Sequence, residues 1–276
     1  MKFNAETITS RNNPLVKWAS SLTEKKFRDA ESTFLVEGEK LSFEALDASL
    51  PVSHIFLEEG RRDRLFERIS GYSDNAKYTD TTVITLSEAA FSKISSEKSP
   101  QGIILAIKYL DFFSKLDIIY KEEFFLRPDE RAIILASIRD PGNLGSVIRS
   151  AVAFGTEHII LSDDCVDLYN SKTIRAAMGS FLKIRATVTS DLPSVISALR
   201  ENGRAVYAAE LRPGALSLSD IKRDPTDVVV IGNEGHGIPD EVSSACTASV
   251  YIPISPNTES LNASVAAGVL MWEFSK

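Results

Sequence analysis

The spacing of hydrophobic residues changes character near the middle of the chain. After Arg131, short apolar runs alternate regularly with segments whose apolar residues recur every three to four positions. This alternation predicts strands that each lead into a helix, as in a mostly parallel α/β sheet covered on both faces. The predicted strands lie at 132–138, 158–161, 181–188, 205–209, 228–231 and 249–254, and the predicted helices at 145–154, 171–178, 192–201, 239–245 and 261–274.

The first part of the chain predicts a smaller α/β domain, and the length of 276 residues fits two domains. Helical patterns are found at 13–26, 43–46 and 65–69, and strand patterns at 33–37, 54–57, 83–86 and 103–109. Residues 111–130 are charged and irregularly aromatic and contain Arg127-Pro128, which is typical of a domain boundary. We therefore expect domains at 1–110 and 131–276, joined by a linker at 111–130.

A polar turn follows the first strand of the second domain. It has the sequence Asp140-Pro-Gly-Asn143, and Asn143 is a residue type that caps helices. Within the following helix, Arg149 stands alone among small residues that include Ser146 and Ser150. An arginine in such surroundings can reach over a pocket and bind a phosphate with two hydrogen bonds. The alternative is a helix cap with an ordinary surface ion pair.

A glycine-rich turn, Gly232-Asn-Glu234-Gly-His-Gly237, follows the most apolar strand. Its glycines allow the backbone to approach a flat ligand closely, and Glu234 between them is placed to accept hydrogen bonds. The turn lacks the Lys-Ser/Thr ending of a P-loop, and it does not match the GxGxxG dinucleotide fingerprint. We interpret His236 as a spacer in the loop rather than as a proton-transfer group.

A third polar segment opens the last helix. Ile252-Pro253 leads into Ser260-Leu261-Asn262, with Ser260 placed near the predicted cap. All three segments follow strands of the second domain. Because ligands of such sheets bind beyond the carboxyl ends of the strands, we expect the three segments to form one site.

Composition and charge limit the class of protein. Hydrophobic residues make up 43% of the chain and charged residues 25%, and no apolar run is long enough to cross a bilayer or to form a signal core. We therefore expect a cytoplasmic protein with no membrane partner. The cysteines, Cys165 and Cys246, are far apart and lack metal-ligand spacing, so we expect free buried thiols and no metal site.

The net charge of −7 argues against a protein that coats nucleic acid indiscriminately, but it is compatible with local basic surfaces. The first 30 residues contain six basic and three acidic side chains. The basic residues are Lys2, Arg11, Lys17, Lys25, Lys26 and Arg28. A basic N-terminal face would favour RNA binding through Arg11 and Lys17, while a solvated helix with mixed charges is the equally weighted alternative.

Taken together, the three segments resemble the signature motifs of the SpoU (also called TrmH) family of RNA 2′-O-ribose methyltransferases. The resemblance rests on Asn143-x-Gly-x-x-x-Arg149, on Gly232-x-Glu234-x-x-Gly237, and on Ile252-Pro253 followed by Ser260-Leu261-Asn262. It spans residues 131–276, and the one small departure is Ala263, where valine is commoner in the family. The segments 10–17 and 34–40 are similar to the ribosomal protein L30e-like substrate-binding domain that many members carry in front.

The resemblance implies transfer of a methyl group from S-adenosylmethionine to a ribose 2′-hydroxyl of RNA. It also implies a SPOUT-type fold, whose C-terminal segment threads a deep trefoil knot, and a homodimer with the site at the subunit interface. By position in the motifs, the cofactor-binding residues would be Gly232, Ile252 and Leu261. The residues that orient or stabilise the reacting ribose would be Asn143, Arg149, Glu234, Ser260 and Asn262.

Several alternatives remain open at this point. The L30e-like front domain favours ribosomal RNA by analogy, and transfer RNA is the alternative substrate. A conventional nicotinamide or nucleotide enzyme would be expected to carry the GxGxxG fingerprint, which the first strand-to-helix turn lacks. A catalytically silent RNA-binding protein would not be expected to keep Asn143, Arg149, Glu234 and Asn262. The identity of the general base is open, since an arginine is effectively always protonated.

Overall fold

The chain folds into two compact units. A computed structural model describes residues 1–116, 126–233 and 235–276. The N-terminal unit comprises Met1–Leu110 together with Tyr169–Arg175, and the C-terminal unit comprises Asp111–Leu168 and Ala176–Lys276. The predicted site residue Glu234 and the part of the predicted linker at 117–125 lie outside the described residues.

The N-terminal unit is built on a five-stranded mixed sheet. Its strands are β1 (Lys2–Phe3), β2 (Thr33–Glu37), β3 (Val52–Glu58), β4 (Thr82–Leu86) and β5 (Ile103–Lys108), in the order β1-β4-β3-β5-β2. β1, β4 and β3 are parallel, whereas β5 runs antiparallel to both β3 and β2. Its helices are α1 (Pro14–Ser21), α2 (Lys25–Glu31), α3 (Glu39–Asp47), α4 (Arg62–Ser70) and α5 (Glu88–Ile94).

The helix predicted at 13–26 is two helices in the structure. Asn13 caps α1 by accepting a hydrogen bond from Leu15 N at 2.9 Å. The other end of α1 is closed by Arg28, whose Nη1 donates to Leu22 O at 3.0 Å and to Thr23 O at 2.7 Å. Because these carbonyls are satisfied by a side chain, the helix can end before Lys25. Arg28 is buried in this role and is not part of a basic surface.

The C-terminal unit contains an eight-stranded sheet in which every pairing is parallel. Its strands are β6 (Phe113–Leu116), β7 (Ala132–Leu135), β8 (His158–Ser162), β9 (Arg185–Thr189), β10 (Val206–Ala209), β11 (Leu216–Ser217), β12 (Val228–Ile231) and β13 (Ala248–Tyr251). Their order is β11-β13-β10-β12-β7-β8-β9-β6. The central strands are apolar along their length, as expected of a parallel sheet covered on both faces.

In the described part of the C-terminal unit, the helices that accompany this sheet are α6 (Pro141–Ala153), α8 (Leu192–Glu201), α9 (Asp240–Ala245) and α10 (Ala263–Phe274). The helix α7 (Ser171–Ala177) begins within Tyr169–Arg175, which belongs to the N-terminal unit. α10 packs against α6, so the helix that carries Asn143 and Arg149 is a neighbour of the helix that starts directly after Asn262. Within the described ranges of the chain, no helix combines the length and the apolar character needed to span a membrane.

Further differences from the sequence-based expectation lie at residues 113–116 and 178–188. Residues Phe113–Leu116, predicted as linker, form the edge strand β6 beside β9, and Leu126 joins the buried core. The strand predicted at 181–188 begins only at Arg185, because Met178–Leu182 forms a 3₁₀ helix. Phe181 of that helix is fully buried and packs edge-on against Phe113, with ring centroids 5.0 Å apart.

A buried charged cluster joins the amino ends of the central strands. Glu130 is fully buried, and its Oε1 accepts a hydrogen bond from Arg185 Nη1 at 2.5 Å and lies 3.3 Å from His158 Nδ1. Burial, helped by the Arg185 charge, lowers the pKa of His158 to about 4, so this histidine is neutral at pH 7. The cluster lies at the amino ends of the strands, whereas the three predicted motifs follow the carboxyl ends. We therefore assign the cluster a structural role.

Candidate active site

The first motif begins with a helix cap, but the capping residue is not the predicted one. Asp140 Oδ1 accepts a hydrogen bond from Asn143 N at 2.8 Å and caps α6, with Pro141 in the first turn. A residue before proline favours extended backbone, which is the conformation that a cap requires, so Asp140 is the better candidate. Asn143 therefore lies inside the first turn of α6, and its side chain serves another contact.

The third motif is joined to the first by a pair of asparagines. Asn262 caps α10, since its Oδ1 accepts from Ser264 N at 2.9 Å and from Ser264 Oγ at 2.6 Å. The predicted cap, Ser260, lies two residues earlier and is exposed. Asn262 Nδ2 donates to Asn143 Oδ1 at 3.0 Å. The two helix starts are thus tied together across 119 residues of sequence.

The second motif is a loop that folds back on itself. Asn233 N donates to Gly237 O at 3.0 Å, and Gly237 N donates to Asn233 O at 2.8 Å. A Cβ atom on Gly232 would lie 2.4 Å from Gly237 C and 2.6 Å from Ile238 N. Gly237 has a φ of +71°, which glycine adopts without strain. Glycine is therefore required at both ends of this loop, for two different reasons.

Asn233 is a positioning residue that the sequence analysis missed. Its Nδ2 donates to Ser137 O at 2.9 Å, which ties the loop after β12 to the loop after β7. Its Oδ1 accepts from Gly235 N at 2.8 Å and so fixes the turn from within. An amide residue inside a glycine-rich turn was the available signal, because such a side chain can bond to backbone on both sides.

A carboxylate organises the loops after β7 and β8. Asp164 accepts hydrogen bonds from Ser137 Oγ at 2.7 Å, from Arg139 Nη2 at 2.7 Å and from Ser162 Oγ at 2.5 Å. Burial alone would raise the pKa of Asp164, but the two hydroxyl hydrogen bonds and the Arg139 charge outweigh it and hold the pKa below its ordinary value. The charged Asp164 thereby fixes Ser137, whose carbonyl holds Asn233.

A cleft of about 600 Å³ lies beside these loops and lies wholly within the C-terminal unit. Its walls come from the segments that follow β10, β12 and β13 and from α10. Four predicted site residues line the cleft, namely Gly232, Ile252, Ser260 and Leu261. All three residues predicted to bind a cofactor are thus in one cavity, with apolar side chains next to a glycine-rich backbone.

Arg149 does not line the cleft among the described residues. It lies on the exposed surface of α6 and forms no hydrogen bond or ion pair with any residue that the structure describes. The surface ion pair considered as an alternative is therefore not found within this part of the chain. The guanidinium is open to solvent on a helix whose start is bonded to Asn262.

The predicted RNA-binding residues Arg11 and Lys17 are both exposed and belong to the N-terminal unit. The basic excess predicted around them is smaller than the sequence count indicates. Arg28 is buried, and Lys2 Nζ forms an ion pair with Asp80 Oδ1 at 2.8 Å. Arg11 and Lys17 are thus two of the remaining exposed cations of that segment.

Family models match both halves of the chain. Residues 130–272, more than half of the sequence, match the model described as the SpoU rRNA methylase family. The chain belongs to the SpoU rRNA methylase family. Residues 13–105 match the MRM3-like substrate binding domain. The family resemblance drawn from the three motifs and the mostly parallel α/β fold with a smaller substrate-binding domain in front are confirmed.

The similarity to individual members of the SpoU family extends over nearly the whole chain. The 23S rRNA (guanosine(2553)-2′-O)-methyltransferase RlmP of Bacillus subtilis (strain 168) is 31% identical over 265 residues, which cover 96% of this chain and 97% of that protein. An rRNA methyltransferase from Sinorhizobium meliloti is 28% identical in sequence. Its crystal structure superposes with a TM-score of 0.83 over 99% of this chain and 98% of that one. An AdoMet-bound rRNA methyltransferase from the same organism is 28% identical and superposes with a TM-score of 0.79, over 98% and 97% of the two chains.

Proposed function

We propose that this SpoU family protein transfers a methyl group from S-adenosylmethionine to a ribose 2′-hydroxyl of ribosomal RNA. The observation that carries the proposal is the cleft lined by residues of the second and third motifs. Beside it, the side chain of Asn262 donates a hydrogen bond to the side chain of Asn143. The similarity to a 23S rRNA 2′-O-methyltransferase supports ribosomal RNA over transfer RNA. A cytoplasmic location is part of the proposal, because ribosomes are assembled and work there.

The cleft fits S-adenosylmethionine in size and in chemistry. Its volume of about 600 Å³ is that of a pocket for a nucleoside-sized ligand. Ile252 and Leu261 offer apolar side chains to a flat adenine, and Gly232, which has no side chain, lines the cleft with its backbone. When bound, the cofactor supplies the methyl group as an electrophile. The S-adenosylmethionine complex of a similar rRNA methyltransferase supports this assignment.

Around this cleft, each polar residue has a distinct role in the mechanism. Asn262 holds Asn143 by a hydrogen bond of 3.0 Å, so that the Asn143 side chain has a fixed orientation at the start of α6. We assign Asn143, Asn262 and Ser260 to orientation of the ribose, since alignment of the attacking oxygen accounts for much of such catalysis. Glu234 keeps its proposed orienting role and lies outside the described residues.

Arg149 acts as a charge stabiliser in this mechanism rather than as the base. A guanidinium is effectively always protonated, so it cannot accept the hydroxyl proton. An exposed arginine can instead bind the phosphate next to the reacting ribose and stabilise the negative charge that develops on the 2′-oxygen. Its lack of an ion pair with the described residues leaves it suited to such a contact.

The path of the last elements supports the proposed trefoil knot. β13 lies beyond β10, on the side of the sheet away from β7. From there the chain passes the cleft and ends in α10, which packs against α6 and against β12, on the other side of β10. The C-terminal segment therefore crosses back over strands that precede it, as a knotted SPOUT-type topology requires.

We propose that the N-terminal unit selects RNA and that the C-terminal unit performs the chemistry. The double substitution Arg11→Glu, Lys17→Glu should weaken binding to ribosomal RNA fragments. It should also lower the slope of log affinity against log salt by about one unit for each lost phosphate contact on duplex-like RNA. Binding is measured by fluorescence anisotropy over a range of salt concentrations.

The matched control for this substitution is Lys77→Glu, Lys93→Glu, which makes the same charge change at two other exposed lysines of the N-terminal unit. It should lower affinity less and leave the salt slope nearly unchanged. If both double variants behave alike, the effect is one of total charge, and Arg11 and Lys17 are not specific contacts.

We also propose a homodimer that uses the outer face of α6 and α10. The small residues Gly268 and Ser150 lie where α10 meets α6 in the same chain, so they are not available to a second subunit. The apolar surface that remains consists of Val265, 52% exposed, and Trp272, 50% exposed, with Phe154 beside Trp272 at 5.7 Å between ring centroids. Such a surface favours a partner with the same face.

The dimer predicts a mass of about twice the 30.3 kDa chain in light scattering at micromolar concentration. Trp272→Glu should shift the protein towards the monomer, because a charge at this position would be buried against the partner. Leu216→Glu, at an exposed apolar position on the edge strand β11, is the control and should remain dimeric. A strictly monomeric wild-type protein with full activity would exclude the dimer as a requirement.

The proposed activity is tested with RNA from a strain that lacks the gene. Purified protein and S-adenosylmethionine should methylate ribosomal RNA from that strain, and primer extension at low nucleotide concentration should locate a single new 2′-O-methyl site. Methylation of transfer RNA alone would favour the alternative substrate. Cofactor and RNA binding without methyl transfer to either would favour a silent RNA-binding protein, and tight NAD binding without S-adenosylmethionine binding would favour a nicotinamide enzyme.

A further inference from the structure

Glu210, the residue directly after β10, lines the cleft proposed to bind S-adenosylmethionine. Its Oε1 accepts hydrogen bonds from Ser243 Oγ at 2.5 Å and from Ser249 Oγ at 2.6 Å. Arg212 Nη1 lies 3.2 Å from the same oxygen. Three groups thus hold one oxygen of a side chain that is only 17% exposed.

The other oxygen of Glu210 has no such contact. Oε2 accepts no hydrogen bond from any residue that the structure describes. A carboxylate has room for about four hydrogen bonds, so two or more remain available on this side. The carboxylate is therefore fixed in orientation by one oxygen and can accept hydrogen bonds from a ligand with the other.

The strand order places Glu210 away from the reacting groups. β10 lies between β12 and β13, whereas Asn143 follows β7 on the far side of β12. The glycine-rich loop that contains Gly232 separates the two positions in the sheet. Glu210 is thus expected to contact a part of the cofactor that does not react.

The charge around Glu210 favours a neutral donor over a cation. The Arg212 guanidinium already offsets the charge of the Glu210 carboxylate. The same guanidinium also contacts Asp240, with 3.5 Å between Arg212 Nη2 and Asp240 Oδ1. A carboxylate against the sulfonium would stabilise the cation that methyl transfer consumes, which would oppose the reaction. Two adjacent hydroxyl groups, in contrast, need only an acceptor in a fixed orientation.

We propose that Glu210 Oε2 binds the ribose hydroxyls of the S-adenosylmethionine adenosine and so determines which nucleoside the cleft accepts. The inference rests on the proposed function. Acidic residues bind the ribose of a dinucleotide beyond the strand ends of another parallel-sheet fold, which provides a physical precedent. Ser243, Ser249 and Arg212 are positioning residues for this contact, because they act through the Glu210 carboxylate.

The test uses the full-length protein and calorimetric titration with S-adenosylhomocysteine and with 5′-methylthioadenosine, which lacks the amino acid part. Glu210→Gln keeps the oxygen that accepts hydrogen bonds from Ser243 and Ser249 and replaces Oε2 by an NH₂ group, which donates hydrogen bonds instead of accepting them. It should weaken binding of both compounds by a similar factor, about tenfold or more, the scale of a hydrogen bond to a charged group. Glu241→Gln removes an exposed carboxylate from α9 and should bind both as the wild type does.

Four outcomes would overturn the inference, the last of them together with the proposed function. Unchanged binding of both compounds by Glu210→Gln would leave Glu210 with a purely structural role. Weakened binding of S-adenosylhomocysteine alone would assign Glu210 to the amino group. The wild type and the variant should bind 2′,3′-dideoxy-5′-methylthioadenosine equally, so a remaining difference there would mean that the substitution damages the cleft. If wild-type protein does not bind S-adenosylhomocysteine at all, the proposed function fails and this inference fails with it.

Discussion

Gly232→Ala and Gly232→Val are both expected to lose S-adenosylmethionine binding below detection while the protein remains folded. A Cβ at this position would lie 2.4 Å from Gly237 C and 2.5 Å from Gly237 O. These are backbone atoms of the same loop, so no side chain can rotate away, and the loop has to open. Opening would break the bonds between Asn233 and Gly237 that give the cleft its shape. Because the collision comes from Cβ itself, alanine should be nearly as damaging as valine.

Gly235→Ala is the matched control in the same loop. Among the residues that the structure describes, a Cβ on Gly235 would approach only Asn233 Oδ1, at 3.4 Å, so binding should fall much less. Calorimetric titration measures affinity, and circular dichroism with thermal unfolding shows whether each variant is folded. A folded Gly232→Val variant with affinity close to the wild type would remove this loop from the cofactor site.

The position of the site could be predicted from the sequence, but the bonds within it could only partly be predicted. Because several strands end in polar, glycine-containing turns, the sequence indicated a site at the carboxyl ends of the strands of a parallel sheet. In the structure, two of these segments meet there, with 3.0 Å between Asn262 Nδ2 and Asn143 Oδ1. The caps were predicted wrongly. The cap of α6 could have been identified from the sequence, because Asp140 precedes a proline and a residue before proline favours the extended backbone that a cap requires. The choice of Asn262 over Ser260 involves the contact with Asn143, which no local pattern encodes.

Contacts between distant segments account for the other differences. Strand β6 is only four residues long and gains its structure from pairing with β9, so its pattern is weak when considered alone. Tyr169–Arg175 belongs to the N-terminal unit although it lies in the second half of the chain. Tyr169 stacks on Tyr109 at 4.1 Å and packs against Phe34 at 4.6 Å, and a linear division of the sequence cannot show this.

Buried arginines explain why the charge count overstated the basic surface. Arg28 was counted as a basic residue of the N-terminal segment, but its guanidinium closes the end of α1 from inside the unit. Arg204 is similarly buried, and its Nη1 donates to Glu130 O at 2.6 Å and to Thr226 O at 2.8 Å. Such arginines satisfy backbone carbonyls, and net charge along the sequence does not distinguish them from exposed ones.

Arg149→Ala is expected to lower the rate of methyl transfer by about a hundredfold or more, the scale of losing one charge-stabilising group. Binding of S-adenosylmethionine should stay close to the wild type, because Arg149 does not line the cleft among the described residues. Arg149→Lys should restore little activity, since an ammonium cannot provide two parallel hydrogen bonds to a phosphate. The α6 start should be unaffected, because Asp140 and Asn262 make its contacts.

The rate is measured in single-turnover methyl transfer with radiolabelled cofactor, and affinity is measured separately by calorimetry. Arg200→Ala, which removes another exposed arginine of the C-terminal unit, is the control and should transfer methyl groups at nearly the wild-type rate. A loss of rate in Arg149→Ala with unchanged cofactor affinity places the arginine at the RNA or at the developing charge. A parallel loss of cofactor affinity would instead make it part of the cofactor site. If both Arg149 variants transfer methyl groups within a few-fold of the wild type, Arg149 has no part in the mechanism.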